Sequence, residues 1–300
     1  MNTIRFGLDI GGTKIELRAY DHNSDELLKM RVATPSNYTD FVNTVVSLIT
    51  QAEKNLAATA SVGIGLPGAI CPKTHTIKNA NCLFLNGHDL QEDLRLALNR
   101  KIYIANDANC FALSEAIDGA AAGKHVVFGV ILGTGCGGGF IVNQQLLVGE
   151  NAICGEWGHN PLPYFSHEKD GINQACHCGR QNCIERFISG TGFEMQYLQR
   201  FSEYKSAPEI IEALQRGDQK AKLAYYQLID QIARSFAYVV NIIDPNVIVI
   251  GGGMSNVASL YSDVQKQMKQ YVFSPDSDTP IVQAKFGDSS GVRGAAWLPC

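Results

Sequence analysis

The sequence predicts an α/β fold built twice over, as two lobes. Three observations carry this. Strand-like apolar segments alternate with longer segments whose apolar residues recur at helical spacing, the pattern of mixed α/β layers rather than of an all-β barrel. A strand, a glycine turn and a second strand occur at Ile4–Tyr20 and recur at Val126–Val142, which points to a duplicated unit. The polar run Asn106-Asp107-Ala108-Asn109 follows a strand-like segment, and the ends of strands are where open α/β sheets bind ligands.

Along the chain, Ile4–Ile10 reads as a strand, Gly11-Gly12-Thr13-Lys14 breaks it, and Ile15–Tyr20 resumes it as a hairpin. Apolar residues from Phe41 to Leu56 are spaced for a helix, with Asp40 as its N-cap. Ser61–Gly68 is a short strand ending in a Gly/Pro turn. A helix over Leu90–Leu98, a strand over Ile102–Ala105 and a helix over Cys110–Ile117 follow. The small, flexible stretch Asp118–Lys124 marks a lobe boundary, so residues 1–118, joined by about 287–300, form a small lobe and residues 119–286 a large one. Beyond it come a strand at Val126–Leu132, the glycine-rich Gly133–Gly139, and a strand at Phe140–Val142. A long amphipathic helix, Leu228–Ile243, ends before Asp244-Pro245. The strand Val247–Ile250 and the loop Gly251–Asn256 follow it, and Gly294–Leu298 reads as part of a C-terminal helix.

Composition narrows the function. The 300 residues are 45% hydrophobic and 18% charged, an ordinary globular balance. Lys and Arg total 25 against 29 Asp and Glu, a net charge of -4, and no basic run could track a phosphate backbone, so nucleic acid is not an expected partner. No charged leader with an apolar stretch opens the chain and no apolar run approaches the ~18 residues of a membrane span, so a cytoplasmic protein is expected. Of nine cysteines, Cys176, Cys178 and Cys183 crowd into one short loop, which in a reducing compartment favours metal over disulfides. Cys71, Cys82, Cys110, Cys136, Cys154 and Cys300 read as ordinary small residues.

Two segments match G-x-G-x-x-G, at Gly63, Gly65, Gly68 and at Gly133, Gly135, Gly138. A dinucleotide fold would need a helix directly after the glycines, and neither segment supplies one: Ala-Ile-Cys-Pro follows Gly68 and the β-favouring Phe140-Ile-Val follows Gly139. A P-loop is excluded because no glycine run leads into Lys-Ser or Lys-Thr. What remains is the glycine hairpin tip, where missing side chains let backbone N–H groups approach phosphate oxygens. The tip Asp9–Lys14 adds a carboxylate, a hydroxyl and an ammonium, a set suited to a polyphosphate with Mg²⁺, although a tight turn with a surface lysine would look the same. The second tip, Leu132–Gly139, and the cluster Gly251–Gly253 make turns alone a poor explanation.

These three loops resemble the phosphate-1, phosphate-2 and adenosine segments of the actin-like (ribonuclease H-like) ATPase superfamily. Gly155-Glu156-Trp157-Gly158-His159 and Cys176-His-Cys-Gly-Arg-Gln-Asn-Cys183-Ile-Glu185 resemble the two signatures of the ROK family (repressor, open reading frame, kinase). Lys78–Asn81, Asn106–Asn109 and Glu156–Pro163 look most like bacterial fructokinases of the manno(fructo)kinase type, and the likeness runs to Gly287–Trp297. The resemblance implies an ATP-dependent, Mg²⁺-dependent hexose kinase acting on the 6-hydroxyl, with fructose as the leading substrate, and a homodimer. Nucleotide contacts are implied at Gly7, Leu8, Asp9, Ile10, Gly11, Gly12, Thr13 and Lys14. Others are implied at Gly133, Thr134, Gly135, Cys136, Gly137, Gly138, Gly139, Phe140, Gly252 and Gly253.

Phosphoryl transfer needs a carboxylate to take the acceptor's proton. Asp107 follows a strand, is flanked by Asn106 and Asn109, and matches the family's catalytic aspartate; the plain alternative is an N-cap for the next helix. By resemblance the sugar is held by Asn81, Asn106, Asp107, Glu156, His159 and Glu185, with Gly68 shaping one wall. Three thiolates in a short loop lack the fourth ligand of a tetrahedral Zn²⁺, for which His159, His167 and His177 qualify by type. The family motif favours His159, so that a structural Zn²⁺ would fix an imidazole that also contacts sugar. Rivals are an N-acetylglucosamine, mannose or glucose kinase, a sugar-binding sensor or repressor, and a nicotinamide-dependent oxidoreductase. The repressor reading is disfavoured because the first phosphate loop lies within the first dozen residues and leaves no room for a DNA reader.

Overall fold

The structure, a computed structural model, describes residues 4–274 and 276–299; Cys300 and the outermost ends of the expected lobes lie outside the described residues. The first half contains β1 (Arg5–Ile10), β2 (Lys14–Tyr20), β3 (Glu26–Ala33), α1 (Tyr38–Leu56), β4 (Ser61–Leu66), β5 (Ala69–Ile70), β6 (Ile77–Lys78), α2 (Leu90–Leu98) and β7 (Ile102–Asn106), which runs directly into α3 (Asp107–Ile117). The second half opens with β8 (Val126–Leu132), β9 (Cys136–Val142) and β10 (Gln145–Leu146). A long excursion then carries α4 (His167–Asp170), α5 (Glu185–Ile188), α6 (Gly190–Phe201), α7 (Ala207–Gln215) and α8 (Gln219–Ile243). It closes with β11 (Val247–Gly251), α9 (Ala258–Met268), β12 (Ile281–Gln283) and α10 (Ser290–Trp297). Among the described residues no helix is long and apolar enough to cross a membrane.

The duplication is plain in the sheets. Two sheets have five strands each, ordered β3-β2-β1-β4-β7 and β10-β9-β8-β11-β12, and β5 and β6 pair separately. In both, the meander pairs antiparallel and the last two strands join in parallel. Register aligns the carboxyl ends: Asp9 of β1 lies beside Gly65 of β4, and Leu66 of β4 beside Asn106 of β7, so Asp9 and the start of α3 leave the same sheet edge.

Local chemistry sets the helix limits. α1 buries Phe41, Val45, Leu48, Ile49 and Ala52 at three- and four-residue spacing. Its N-cap is Asn37, not the expected Asp40: the Asn37 side chain accepts from the Asp40 amide, which places the start three residues earlier. α8 begins at Gln219 behind an Asp218 cap, well before the expected Leu228, because Ala221, Ala224 and Tyr225 already continue its buried stripe. It ends where Asp244 turns left-handed (φ 49°) before Pro245.

The helices that close each half are exchanged. α3 grows out of the first sheet but covers the second: an added Cβ at Gly129 would sit 2.6 Å from the Ala112 methyl, and one at Gly139 2.9 Å from it. α10 grows out of the second sheet but covers the first, where a Cβ at Gly7 would lie 1.9 Å from Val292 O and one at Gly63 1.8 Å from Ala295 O. A division after Asp118 therefore assigns α3 to the lobe whose sheet it does not cover. The two helices cross where Gly294 meets the Cys110 carbonyl, which a Cβ would approach to 1.7 Å. The G-x-G-x-x-G at Gly63, Gly65 and Gly68 is thus a packing motif: Gly63 admits α10, Gly65 admits the Cys110 sulfur, and Gly68 (φ 108°) makes a turn against Ala80.

Gly294→Ala is expected to cost about 1–3 kcal/mol or to prevent folding, because backbone must move to admit the methyl. Gly12→Ala, whose Cβ meets nothing within 4 Å, should keep the wild-type Tm. Thermal unfolding of the two variants side by side checks the crossing; equal melting would contradict it.

Candidate active site

The first glycine tip is Gly11–Thr13. The Gly11 amide donates to Lys14 O at 2.9 Å, the Thr34 amide donates to Thr13 O at 3.1 Å, and the Thr34 hydroxyl donates to Gly11 O at 2.7 Å. This leaves Gly12, Thr13 and Lys14 exposed. Of the other residues expected to touch nucleotide, Leu8 and Ile10 are core and Gly7 makes room for α10, so only Asp9 sends a functional group from β1 toward the tip. Its carboxylate lies near the start of α10, 3.9 Å from where a Gly291 Cβ would be. Burial pushes Asp9 up to about 6, Asp107 and Glu16 add to the rise, and Lys14 opposes it.

The second tip is shorter than the sequence suggested. Only Gly133–Gly135 form it, because β9 already begins at Cys136. Gly137, Gly138, Gly139 and Phe140 are strand residues: Gly137 and Gly139 face Ala108 and Ala112 of α3, Gly138 faces Trp157, and Phe140 stacks on Phe128. The tip is held from α6, where the Gly190 amide donates to Gly133 O at 2.7 Å and the Thr191 hydroxyl to Thr134 O at 2.6 Å. Gly252 (φ 79°) seats the third loop against Leu132 O at the end of β8, where a Cβ would come within 2.5 Å, and Gly253 beside it is open.

Asp107 is the first residue of α3. The cap is its neighbour: Asn106 Oδ1 accepts from the amides of Ala108 and Asn109, while Asn106 Nδ2 donates to Gly68 O at 3.2 Å, tying the strand end to the Gly68 turn. The capping alternative therefore falls to Asn106 and leaves the Asp107 carboxylate half free, with Oδ1 accepting from the Ala108 amide at 2.8 Å. Asn109, the other flanking asparagine, turns Oδ1 toward Gly139, where it is buried without a hydrogen-bond partner among the described residues. Asn106, Asp107, Asn109 and Glu156 line one cavity of about 370 Å³, with Gly137 and Gly138 on the second-half side. Burial raises the Asp107 pKa, Glu156 raises it further, and the Ala108 amide and the Asn106 side chain hold it down.

Gly68, Asn81, His159 and Glu185 do not line that cavity. Asn81 is exposed, one residue beyond the contact of Gly68 with Ala80. Glu185 opens α5; its Oε2 accepts from the Cys136 amide at 3.0 Å at the start of β9 and lies beside Gly135 of the second tip, 2.7 Å from where a Cβ there would be. His159 joins Cys176, Cys178 and Cys183 in a cluster whose ligand atoms all lie within 4.8 Å of one another. His159 Nδ1 is 3.6 Å from Cys176 Sγ, and Cys178 and Cys183 sulfurs are 3.6 Å apart, close to the about 3.8 Å edge of a tetrahedral zinc–thiolate site. Burial and the adjacent thiols push the Cys183 thiol up to about 12. His177, a candidate ligand by type, lies 3.4 Å from Glu185 Oε1 and forms a second group with His159 and Glu185. His167 belongs to neither group; its Nδ1 meets Gly171 O.

Sequence reasoning missed Thr34, Thr191 and Glu115. The first two act across long chain separations and carry no local signal. Glu115, a lone charge in the apolar face of α3, was legible as an anomaly.

The sequence profile of the ROK family matches residues 5–299. The chain is 37% identical over 297 residues to the N-acetyl-D-glucosamine kinase of Vibrio parahaemolyticus serotype O3:K6 (strain RIMD 2210633), with 98% of each chain covered. It is 38% identical over 298 residues to the enzyme of that name from Haemophilus influenzae (strain 86-028NP), again with 98% of each covered. Among solved structures it is similar to a ROK hexokinase from Thermus thermophilus, at 28% identity and a TM-score of 0.87 over 99% of this chain and 97% of that one. A ROK family glucokinase from Streptomyces griseus, solved with glucose and AMPPNP, matches at 26% identity and a TM-score of 0.75 over 99% of each chain. The two-lobed α/β architecture is that of the actin-like ATPase sugar kinases.

The raised Asp107 pKa has a stability consequence. Below the unfolded carboxyl pKa of about 4 both states are protonated and the penalty is absent; as pH rises the unfolded chain ionises freely while the folded one resists, so stability is lost. Asp107→Asn should therefore raise the Tm at pH 8 and leave it unchanged below about pH 3. A variant that melts lower at pH 8 would contradict the buried-charge description.

Proposed function

The chain belongs to the ROK family as an ATP-dependent sugar kinase, and on that premise we propose that it transfers the γ-phosphoryl group of ATP to the 6-hydroxyl of a hexose. The observation that carries this reading is the Asp107 carboxylate, held at a helix start in a cavity it shares with Asn106 and Glu156, between elements of the two halves that each bear a glycine tip. Asp107 takes the proton of the sugar hydroxyl as its oxygen attacks the γ-phosphorus; the new O–P bond forms as the bond to the β–γ bridging oxygen breaks and ADP leaves. Backbone amides at the exposed Gly12 and Thr13 of one tip, and at Thr134 and Gly135 of the other, supply donors for phosphate oxygens, the Gly133 amide being taken up by Gly135 O at 3.1 Å. Asp9, beside Lys14, would hold Mg²⁺ directly or through water, and the ion when bound supplies charge neutralisation on the phosphates. Closure of the lobes around sugar would exclude water and limit ATP hydrolysis.

Two acceptors have specific support. The names of the relatives at 37% and 38% identity favour N-acetyl-D-glucosamine. The segments Lys78–Asn81, Asn106–Asn109 and Glu156–Pro163 favour fructose through their likeness to fructokinases. Zn²⁺ at His159, Cys176, Cys178 and Cys183 is the second part of the reading, supported by the spacing of the ligand atoms. Four protein ligands close the coordination sphere, so the metal is structural and orients His159.

Purified protein assayed with ATP and Mg²⁺ across fructose, N-acetylglucosamine, mannose and glucose should phosphorylate one with clear preference. Asp107→Asn should lose about 10²–10⁴-fold in kcat while still binding that sugar in calorimetry. A fully active variant removes Asp107 as the base, and turnover of none of the sugars would replace the kinase reading with a sugar-binding sensor.

A further inference from the structure

The excursion that carries the metal ligands is pinned to α8 by a buried polar network. Arg234, in the middle of α8, has a side chain only 1% exposed; it pairs with Asp170, which is fully buried, and through Nε with the less buried Asp230 one turn earlier at 2.9 Å. Arg234 NH2 donates to Asp170 Oδ1 at 2.6 Å, and NH1 donates to the Pro163 carbonyl at 2.6 Å. Asp170 Oδ2 in turn accepts from the Ser166 amide at 3.1 Å. A turn farther along the buried face, Gln231 Nε2 bridges Asp170 Oδ1 and Gln196 Oε1, and Gln196 Nε2 donates to the Phe187 carbonyl of α5 at 2.8 Å.

Desolvating two full charges costs more than packing an apolar pair of the same volume, so a buried ion pair is weak evidence for stability and invites the question of what it fixes. Here it fixes both arms of one loop. The Pro163 arm follows His159 by four residues and pairs with the other arm at the Pro161–Cys183 bridge and through the Leu162 amide to Asn182 O at 2.7 Å. The Gln196 branch holds α5, whose first residue is Glu185. We propose that Arg234 and Asp170 are positioning residues: they set the registry of the His159 and Glu185 arms, and with it both metal retention and sugar affinity, without acting on ATP. This rests on the kinase reading for its sugar arm and on the zinc reading for its metal arm.

The test compares wild type with Asp170→Asn, Arg234→Lys and the paired Arg234→Met/Asp170→Leu, in protein purified with zinc. Expected for Asp170→Asn is zinc release to a chromophoric chelator at least 10-fold faster, and a sugar KM at least 10-fold higher, with the ATP KM within 2-fold of wild type. Arg234→Lys, which keeps the charge but loses the two-armed contact, should fall between. The paired apolar variant should recover Tm without recovering zinc retention or sugar KM. Folded single variants with wild-type zinc release and sugar KM would overturn the proposal, as would recovery of both in the apolar pair. If no sugar is turned over by wild type, the kinase reading fails separately, and zinc release still decides whether the clamp holds the loop.

Discussion

The structure depends on the exchange of two helices between its halves. α3 leaves the first sheet to cover the second, and α10 leaves the second sheet to cover the first, so neither half can complete its core without the other's last helix. The exchange is locked at a fully buried carboxylate. Glu115 of α3 accepts from the Ala120 amide at 2.9 Å, the Lys285 amide at 3.0 Å and the Ser290 hydroxyl at 2.8 Å, joining the end of α3 to the approach and first residue of α10. Such a charge is tolerable only when donors surround it. Beside it, Arg293 of α10 pairs with Asp118 just past α3, at distances down to 2.5 Å.

From this crossing follow the positions that matter for chemistry. Because α3 must lie against β8 and β9, its first turn, with Asp107, is delivered to the second half's surface while β7 keeps it attached to the first. Because α10 must lie against β1 and β4, its start is brought beside the Asp9 carboxylate. The carboxylate of Asp107 and that of Asp9 near the first glycine tip are thus placed by one junction, at the Gly294–Cys110 contact.

Much of this was legible in the sequence. The repeated strand–glycine–strand unit foretold the duplicated sheets, and the polar run after β7 foretold Asn106 and Asp107 at a strand end. The run of glycines was read too uniformly: a glycine that admits phosphate and one that admits a neighbouring helix look alike in sequence, and only packing separated Gly133–Gly135 from Gly137–Gly139. β3 was legible, since Leu28, Met30 and Val32 alternate with Lys29 and Arg31 at strand spacing, and Asn37 was passed over as a cap because Asp40 lay nearer the apolar run. The cysteine cluster was readable from three closely spaced cysteines, but the side chains that pack against its loop, Arg234 and Gln196, lie far off in the chain, and no local pattern marks a side chain whose partners are set by tertiary contact.

The most direct test of a kinase site built on this junction is to follow the γ-phosphate of ATP by phosphorus NMR with the purified protein, Mg²⁺ and each hexose in turn. The expected result is a phosphomonoester at C6 of the preferred sugar, formed with ADP in equal amount and with little inorganic phosphate. Release of inorganic phosphate alone, or ATP left intact with every hexose, would contradict the assignment.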